Sequence, residues 1–130
     1  MASAAASKAM EPLTMYVVVR KDLSKSLGWK TGSVISQGCH VSVAVLERSR
    51  NESNTQAYLQ DLENMRKVVL ETKDEQSLKS LAAVLEQNNV THHVWIEQPE
   101  NFPTALATGP IPNRTGDVLA AFKKYCSLYR

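Results

Sequence analysis

The sequence has little of what would place it in several large classes of protein. Its 130 residues contain two cysteines, Cys39 and Cys126, which are too few for a disulfide scaffold and form no CxxC pair. No apolar run approaches the roughly 20 residues that a membrane-spanning helix requires. We therefore expect free thiols, a cytoplasmic protein and no association with a membrane.

Motifs that depend on glycine are also missing. The five glycines form neither of the phosphate loops GxGxxG and GxxxxGK[ST], and there is no GxSxG nucleophile elbow.

His92 and His93 are neighbours on a predicted strand, so their side chains point to opposite faces and are poorly placed to share a metal ion. Cys39 and His40 lack partners for the four ligands that zinc usually takes. We expect no metal site.

The composition is that of one ordinary globular domain, with 43% apolar and 22% charged residues. The 15 basic and 13 acidic residues give a net charge of +2, which is too small to indicate nucleic-acid binding by itself. Arg20, Lys21, Lys25 and Lys30 nevertheless fall in one short stretch that only Asp22 opposes. An anionic partner would meet this cluster first, although a solvated loop explains the same lysines.

The Ala- and Ser-rich start of the chain predicts a disordered tail over residues 1–13, followed by a single domain over residues 14–130. That domain is expected to be monomeric or weakly dimeric. Apolar periodicity predicts four strands and four helices. The strands are expected over residues 15–20, 67–72, 90–97 and 104–108, and the helices over residues 32–47, 55–65, from Asp74 to Asn88, and after Asn113 or Thr115.

Thr31 or Ser33 is expected to cap the helix over residues 32–47. Because helices separate the first three strands, the fold class is α/β, with a four-stranded mixed sheet and helices on both faces in three layers. The last two strands are joined by a short turn. They form a hairpin, or the last strand enters the sheet elsewhere.

Four motifs, in this order along the chain, resemble the type 2 peptidyl-tRNA hydrolase family. They are VVVRKDL at residues 17–23, the helix over residues 32–44 with Gln37 and His40, KVVLETKDEQSLKSLA at residues 67–82, and TALATGPIP at residues 104–112. The similarity runs from about Met15 to the end of the chain. The segment IEQPEN, residues 96–101, is closer to a divergent branch of that family.

The resemblance implies the same three-layer fold and hydrolysis of the ester that joins a peptide to the terminal ribose of tRNA. It implies no metal or organic cofactor, and tRNA or peptidyl-tRNA as the partner. Lys21, Lys25 and Lys30 are then the candidate contacts to RNA phosphates. The alternative is a non-catalytic module that binds tRNA or a protein on the same fold.

The chain departs from the family pattern at two places. Thr31 and Ser33 stand where the family has lysines in a G-K-G-K loop, and Gln98 stands where it has an acid after the third strand. An amide is not an ordinary general base, so we expect weak activity. Glu97 and Glu100 flank Gln98 and are candidate replacements, although strand alternation is expected to point Glu97 the other way.

Gln37, His40, Gln98 and Thr104 are therefore the candidate catalytic residues. Gln37 and His40 are three residues apart and share an edge of the predicted helix. Structural roles are open for each of them: a hydrogen-bonded core histidine, a tie to a loop, or plain strand propensity for Thr104. The site is expected where the start of the helix at Gly32 meets the turn over residues 98–104.

Overall fold

The computed structural model describes residues 12–112 and 116–130, and a mixed β-sheet forms its centre. The strands are β1 (Leu13–Arg20), β2 (Lys67–Thr72), β3 (His92–Glu97), β4 (Phe102–Thr108), β5 (Ile111–Pro112) and β6 (Cys126–Leu128). They lie in the order β3-β4-β1-β2-β6, with β5 paired to the start of β1. β1 runs parallel to β2 and antiparallel to β4, so the most apolar strand of the sequence is central.

Helices cover both faces of this sheet. They are α1 (Asp22–Lys25), α2 (Thr31–Arg48), α3 (Ser53–Gln60), α4 (Glu75–Gln87) and α5 (Gly116–Tyr125), with a 3-10 turn at Leu62–Asn64. The predicted α/β class with a mixed sheet between helices is confirmed. The predicted strand count of four is too low, because β5 and β6 are two and three residues long and carry no readable periodicity.

Between residues 90 and 108 the chain forms a hairpin and also enters the middle of the sheet. β4 pairs antiparallel with β3 along its whole length and inserts between β3 and β1. Of the two alternatives left open by the sequence, the hairpin is therefore the one observed, and the last strand does not enter the sheet away from β3. This insertion brings the turn between β3 and β4 next to the end of β1.

The small residues of α2 let this helix lie close to the sheet. Its buried side chains Val34, Gln37, Val41 and Val45 recur at spacings of three and four. A Cβ built at Gly38 would lie 3.5 Å from Cγ1 of Val17 on β1. The helix begins earlier than predicted, with Lys30 at its N-cap and no side-chain cap. The predicted capping by Thr31 or Ser33 is therefore wrong, because both lie inside the helix.

Of the remaining predicted elements, some match the structure and others differ from it in their bounds. α4 is capped as predicted, since Asp74 Oδ1 accepts a hydrogen bond of 3.0 Å from the N–H of Ser77. The predicted loop after β1 contains α1, and Gly28 then takes a left-handed conformation with φ +70° that glycine adopts without strain. The helix predicted over residues 55–65 ends at Gln60. The predicted start of the last helix at Asn113 or Thr115 lies outside the described residues.

The predicted tail falls almost entirely outside them as well. Within residues 12–112 and 116–130, no helix is long and apolar enough to span a membrane.

Candidate active site

A β-bulge between β3 and β4 defines the centre of the site. Trp95 pairs with Ala105, but the next residue of β3, Ile96, pairs with Pro103, so Thr104 is an extra residue on β4. Consecutive residues of a regular strand face opposite sides. Here Ala105 packs in the core beneath α2, and Thr104 also bonds to α2. The bulge thus turns two successive side chains to the same face, as bulges beside active sites often do.

Gln37 and Thr104 form a buried link between α2 and this bulge. Thr104 Oγ1 donates to Gln37 Oε1 over 2.7 Å, and Gln37 Nε2 donates to the carbonyl of Ser33 over 3.0 Å. The exposed fractions of Gln37 and Thr104 are 1% and 0%. Two of the predicted site residues are therefore together, but they are closed to solvent. In this arrangement they link the bulge to the start of α2.

Arg20, which the sequence places at the end of the first strand and in the basic cluster, lies beside the bulge and was not among the predicted site residues. Its side chain is buried at the end of β1 and makes a bidentate contact with Asp22. Nε donates to Oδ1 over 2.9 Å, and a terminal nitrogen donates to Oδ2 over 2.8 Å. The other terminal nitrogen donates to the carbonyl of Pro103 over 2.8 Å. The guanidinium also lies over the ring of Phe102, 4.9 Å from its centroid. Arg20 thus holds the bulge from the β1 side with charge-assisted hydrogen bonds.

His40, Trp95 and Glu97 form a second, more accessible group on the same face. His40 is exposed, and its ring stacks on Trp95 with centroids 4.8 Å apart and an interplanar angle of 22°. The indole N–H of Trp95 donates to Glu97 Oε1 over 2.9 Å. Trp95 and Glu97 are two residues apart on β3 and share a face. A carboxylate therefore lies on the side of the sheet that carries His40 and Thr104.

Gln98 is not brought to the other candidates. It is exposed in the turn after β3, where its amide donates to Asn101 Oδ1 over 3.2 Å. In the part of the chain that the structure describes, it makes no hydrogen bond to Gln37, His40 or Thr104. Glu100 is exposed in the same turn. The predicted meeting of α2 with the 98–104 turn occurs at Thr104 rather than at Gln98.

The three candidate RNA-binding lysines lie in different surroundings. Lys25 and Lys30 are exposed. Lys21 is occupied within the chain, because its Nζ donates to the carbonyl of Arg130, lies 3.9 Å from Glu71 and sits 4.5 Å above the ring of Tyr129.

The two thiols differ in exposure, since Cys39 is exposed and Cys126 is partly buried. Burial raises the pKa of Cys126 to about 12, so its thiol stays protonated at neutral pH and is a poor nucleophile. The described residues contain no group of three His, Cys, Asp or Glu side chains that could hold a metal ion.

Comparison with known proteins places the chain in a family. The family model described as peptidyl-tRNA hydrolase PTH2 matches residues 13–124. The chain belongs to this family. It is 44% identical over 124 residues to the human protein named "Putative peptidyl-tRNA hydrolase PTRHD1", covering 92% of this chain and 89% of that protein. The mouse protein of the same name is 45% identical over 123 residues, with 92% and 86% covered. The resemblance to a divergent branch of the family is confirmed.

Proposed function

We propose that the protein hydrolyses the ester between a peptide and tRNA, at a low rate. The observation that carries the proposal is the bulge at Thr104, which places a fixed hydrogen-bond network on the same face as His40 and Glu97. Membership of a peptidyl-tRNA hydrolase family supports the substrate class. In the reaction, the oxygen of water bonds to the ester carbonyl carbon and the bond from that carbon to the ribose oxygen breaks. The products are a peptide with a free carboxylate and tRNA with a free hydroxyl.

Glu97 is the carboxylate best placed to take the proton from water. It lies one residue before Gln98, where the family has its acid, and the Trp95 N–H fixes its orientation. His40 is exposed beside the same indole and can return a proton to the departing ribose oxygen. Gln37 and Thr104 act as positioning residues in this scheme.

The rate should be low because several groups of the family pattern are absent. Gln98 has an amide where the family has a carboxylate, and Thr31 and Ser33 have hydroxyls where the family has lysine ammonium groups. A general acid or base typically contributes about 10²–10⁴-fold. A site that has lost its usual acid and lysine therefore retains activity only to the extent that Glu97 and His40 replace them.

The binding of tRNA in this proposal uses cations that follow β1. Lys25 and Lys30 are exposed and free to meet phosphates, whereas Lys21 would first have to leave Glu71 and the carbonyl of Arg130. Replacing Lys21, Lys25 and Lys30 together by Gln should weaken tRNA binding and flatten its salt dependence, because fewer counterions are released. An unchanged salt slope would place the interface elsewhere.

A second candidate function is a non-catalytic tRNA-binding module. The observation that favours it is the burial of Gln37 and Thr104, which leaves two of the four predicted catalytic side chains without access to a substrate. Gln98, the third, points to Asn101 in an exposed turn.

Single-turnover cleavage of purified peptidyl-tRNA separates the two functions. The wild type should cleave above the rate without protein, and Glu97→Gln should lower that rate by about 10²-fold or to the uncatalysed level. Glu100→Gln is the matched control, because it removes a neighbouring exposed carboxylate, and it should change the rate less than twofold. Gln98→Asp should raise the rate if the turn tolerates the family's acid.

Absence of cleavage by both the wild type and Gln98→Asp would contradict hydrolysis. Retained tRNA binding in that case would favour the module.

A further inference from the structure

A groove of about 570 Å³ opens at the carboxyl ends of the parallel strands β1 and β2, outside the bulge site. The chain leaves β1 toward α2, which covers one face of the sheet, and leaves β2 toward α4, which covers the other. In open α/β sheets such a reversal of direction makes a crevice at the carboxyl ends of the strands, and ligands preferentially bind there. The groove therefore lies where open α/β sheets preferentially bind their ligands.

The charged side chains that line the groove are of both signs, with one more lysine than acids. Four lysines line it, Lys21, Lys25, Lys73 and Lys124, and so do the carboxylates of three acids, Asp22, Glu71 and Asp74. Every one of these carboxylates is already occupied. Asp22 holds Arg20, Glu71 accepts from the N–H of Arg130 over 3.0 Å, and Asp74 caps α4.

Three of the lysines form no close ion pair, although the hydrogen bond from Ser77 and, to a smaller extent, the charge of Lys73 lower the pKa of Asp74. Lys25, Lys73 and Lys124 are exposed, and in residues 12–112 and 116–130 none of them forms an ion pair. Lys124 lies 5.2 Å above the ring of Tyr125, which leaves its ammonium group facing solvent on its other side. The groove thus presents ammonium groups from three separate segments of the chain, which offers a polyanion such as a nucleic-acid backbone several contacts at once.

We propose that this groove binds phosphodiesters of the RNA backbone, with Lys25, Lys73 and Lys124 as its phosphate contacts. This inference rests on the proposed function for its choice of RNA as the anion. The groove and the bulge share one ion pair, since Asp22 lines the groove while its partner Arg20 bonds to the carbonyl of Pro103 beside Thr104. An RNA strand held in the groove is therefore placed beside the end of β1 where the candidate active site begins.

The test measures binding of deacylated tRNA over a range of salt concentrations, so that hydrolysis does not enter. Lys73→Gln with Lys124→Gln should weaken binding about tenfold at physiological salt and reduce the slope of log K against log salt by about 1–2. The matched control is Arg50→Gln with Lys123→Gln, which removes two exposed cations outside the groove. The control should change affinity less than twofold. Thermal unfolding of each variant checks that its fold is retained.

Each outcome bears on one of the two proposals. An unchanged affinity and slope in the groove variant would overturn the groove as an RNA site and leave the hydrolase intact. Groove-dependent tRNA binding without any cleavage of peptidyl-tRNA would uphold the groove and overturn the hydrolase. Binding of tripolyphosphate, or of a polyglutamate peptide, that depends on the groove without any tRNA binding would replace RNA by a free phosphate or by an acidic polypeptide.

Discussion

The two faces of the sheet are built in different ways. On the α4 and α5 face, large apolar side chains dominate, among them Leu78, Leu81, Leu85 and Leu106, and Tyr16 stacks on Phe122 at 4.6 Å. The α2 face uses small residues and valines with buried polar pairs. Gln37 bonds to Thr104, and Ser49 bonds to Thr55 over 2.8 Å.

The α2 face is also incompletely covered. An apolar groove of about 490 Å³ lies between α2 and β2, where Ile35, Val43 and Val69 are 61%, 70% and 45% exposed. The bulge, His40 and Glu97 all lie on this face. The difference teaches that one face is packed with large apolar side chains, while the other combines its apolar core with buried polar groups and open surface where chemistry is expected.

The largest expected effect on stability comes from the α4 face. Leu81 is fully buried, and Leu81→Ala should lower the free energy of unfolding by about 2–5 kcal/mol, through lost burial and the cavity left behind. Urea denaturation measures it. Leu62→Ala, at a residue 61% exposed, is the control and should stay within about 0.5 kcal/mol. A loss below about 1 kcal/mol for Leu81→Ala would contradict the tight apolar packing described for this face.

The polar link on the α2 face should give the next effect. Thr104→Val keeps the shape of the side chain but leaves Gln37 Oε1 buried without its donor. The expected cost is about 1–3 kcal/mol of unfolding free energy. Thr104→Ser keeps the hydroxyl and should cost less.

The double variant Gln37→Leu with Thr104→Val removes both polar groups, so it should cost less than Thr104→Val alone. If the double variant were instead the least stable, Gln37 would have a role in folding beyond this hydrogen bond.

Features that depend on neighbouring residues could be predicted from the sequence. β2 was predicted with its observed bounds, and α4 with its cap at Asp74, because strong periodicity and a local cap lie within a few residues. Asn88 and Asn89 end α4 as predicted, and Asn89 takes a left-handed conformation at φ 56°. Elements with a strong local apolar pattern can thus be predicted from short windows of sequence.

The site was less predictable because it depends on pairing between distant segments. The bulge at Thr104 exists only through the register of β3 against β4, which no local pattern of β4 contains. In the sequence, Arg20 is the last residue of the predicted first strand and one cation of a basic cluster, and no local pattern shows that it is buried against Asp22 and Pro103. The alternation of side chains along β3 predicts that Glu97 lies on the side away from Gln98. The hydrogen bond from Trp95 places Glu97 on the α2 side. The catalytic and RNA-binding roles of the predicted residues stay predictions.

A smaller effect should come from the close approach of α2 to the sheet. A Cβ at Gly38 would meet Val17 at 3.5 Å and Val19 at 3.9 Å, which are ordinary contacts. Because alanine restricts the unfolded chain and favours the helix, Gly38→Ala should raise the free energy of unfolding by about 0.4–1 kcal/mol.

Gly109→Ala is the informative comparison, since its Cβ would meet Thr91 at a tighter 3.2 Å. It should give no such gain. A loss of stability in Gly38→Ala would indicate that α2 needs its small residues to seat on β1.

The smallest expected effect is a pH dependence confined to the α2 face. His93 pairs with Ala107, which packs in the core beneath α2, so both side chains face that helix. Burial, and to a smaller extent the charges of Arg48 and His92, lower the pKa of His93 below its usual value. Folding therefore favours the neutral imidazole. The unfolded chain takes up the proton first as the pH falls below about 6.5, so His93 should contribute stability above that pH and lose it as the pH falls toward the lower folded-state pKa.

Urea midpoints between pH 8 and pH 5 measure this contribution. His93→Gln should reduce the loss of stability on acidification, whereas the neighbouring variant His92→Gln should leave the His93 part in place. Histidines do not belong to the described core of the α4 and α5 face, so a pH dependence that survives in His93→Gln at full size would have to come from the remaining titratable groups. In that case burial of His93 would not be what makes the α2 face sensitive to acid, and the contrast between the two faces would be one of packing alone.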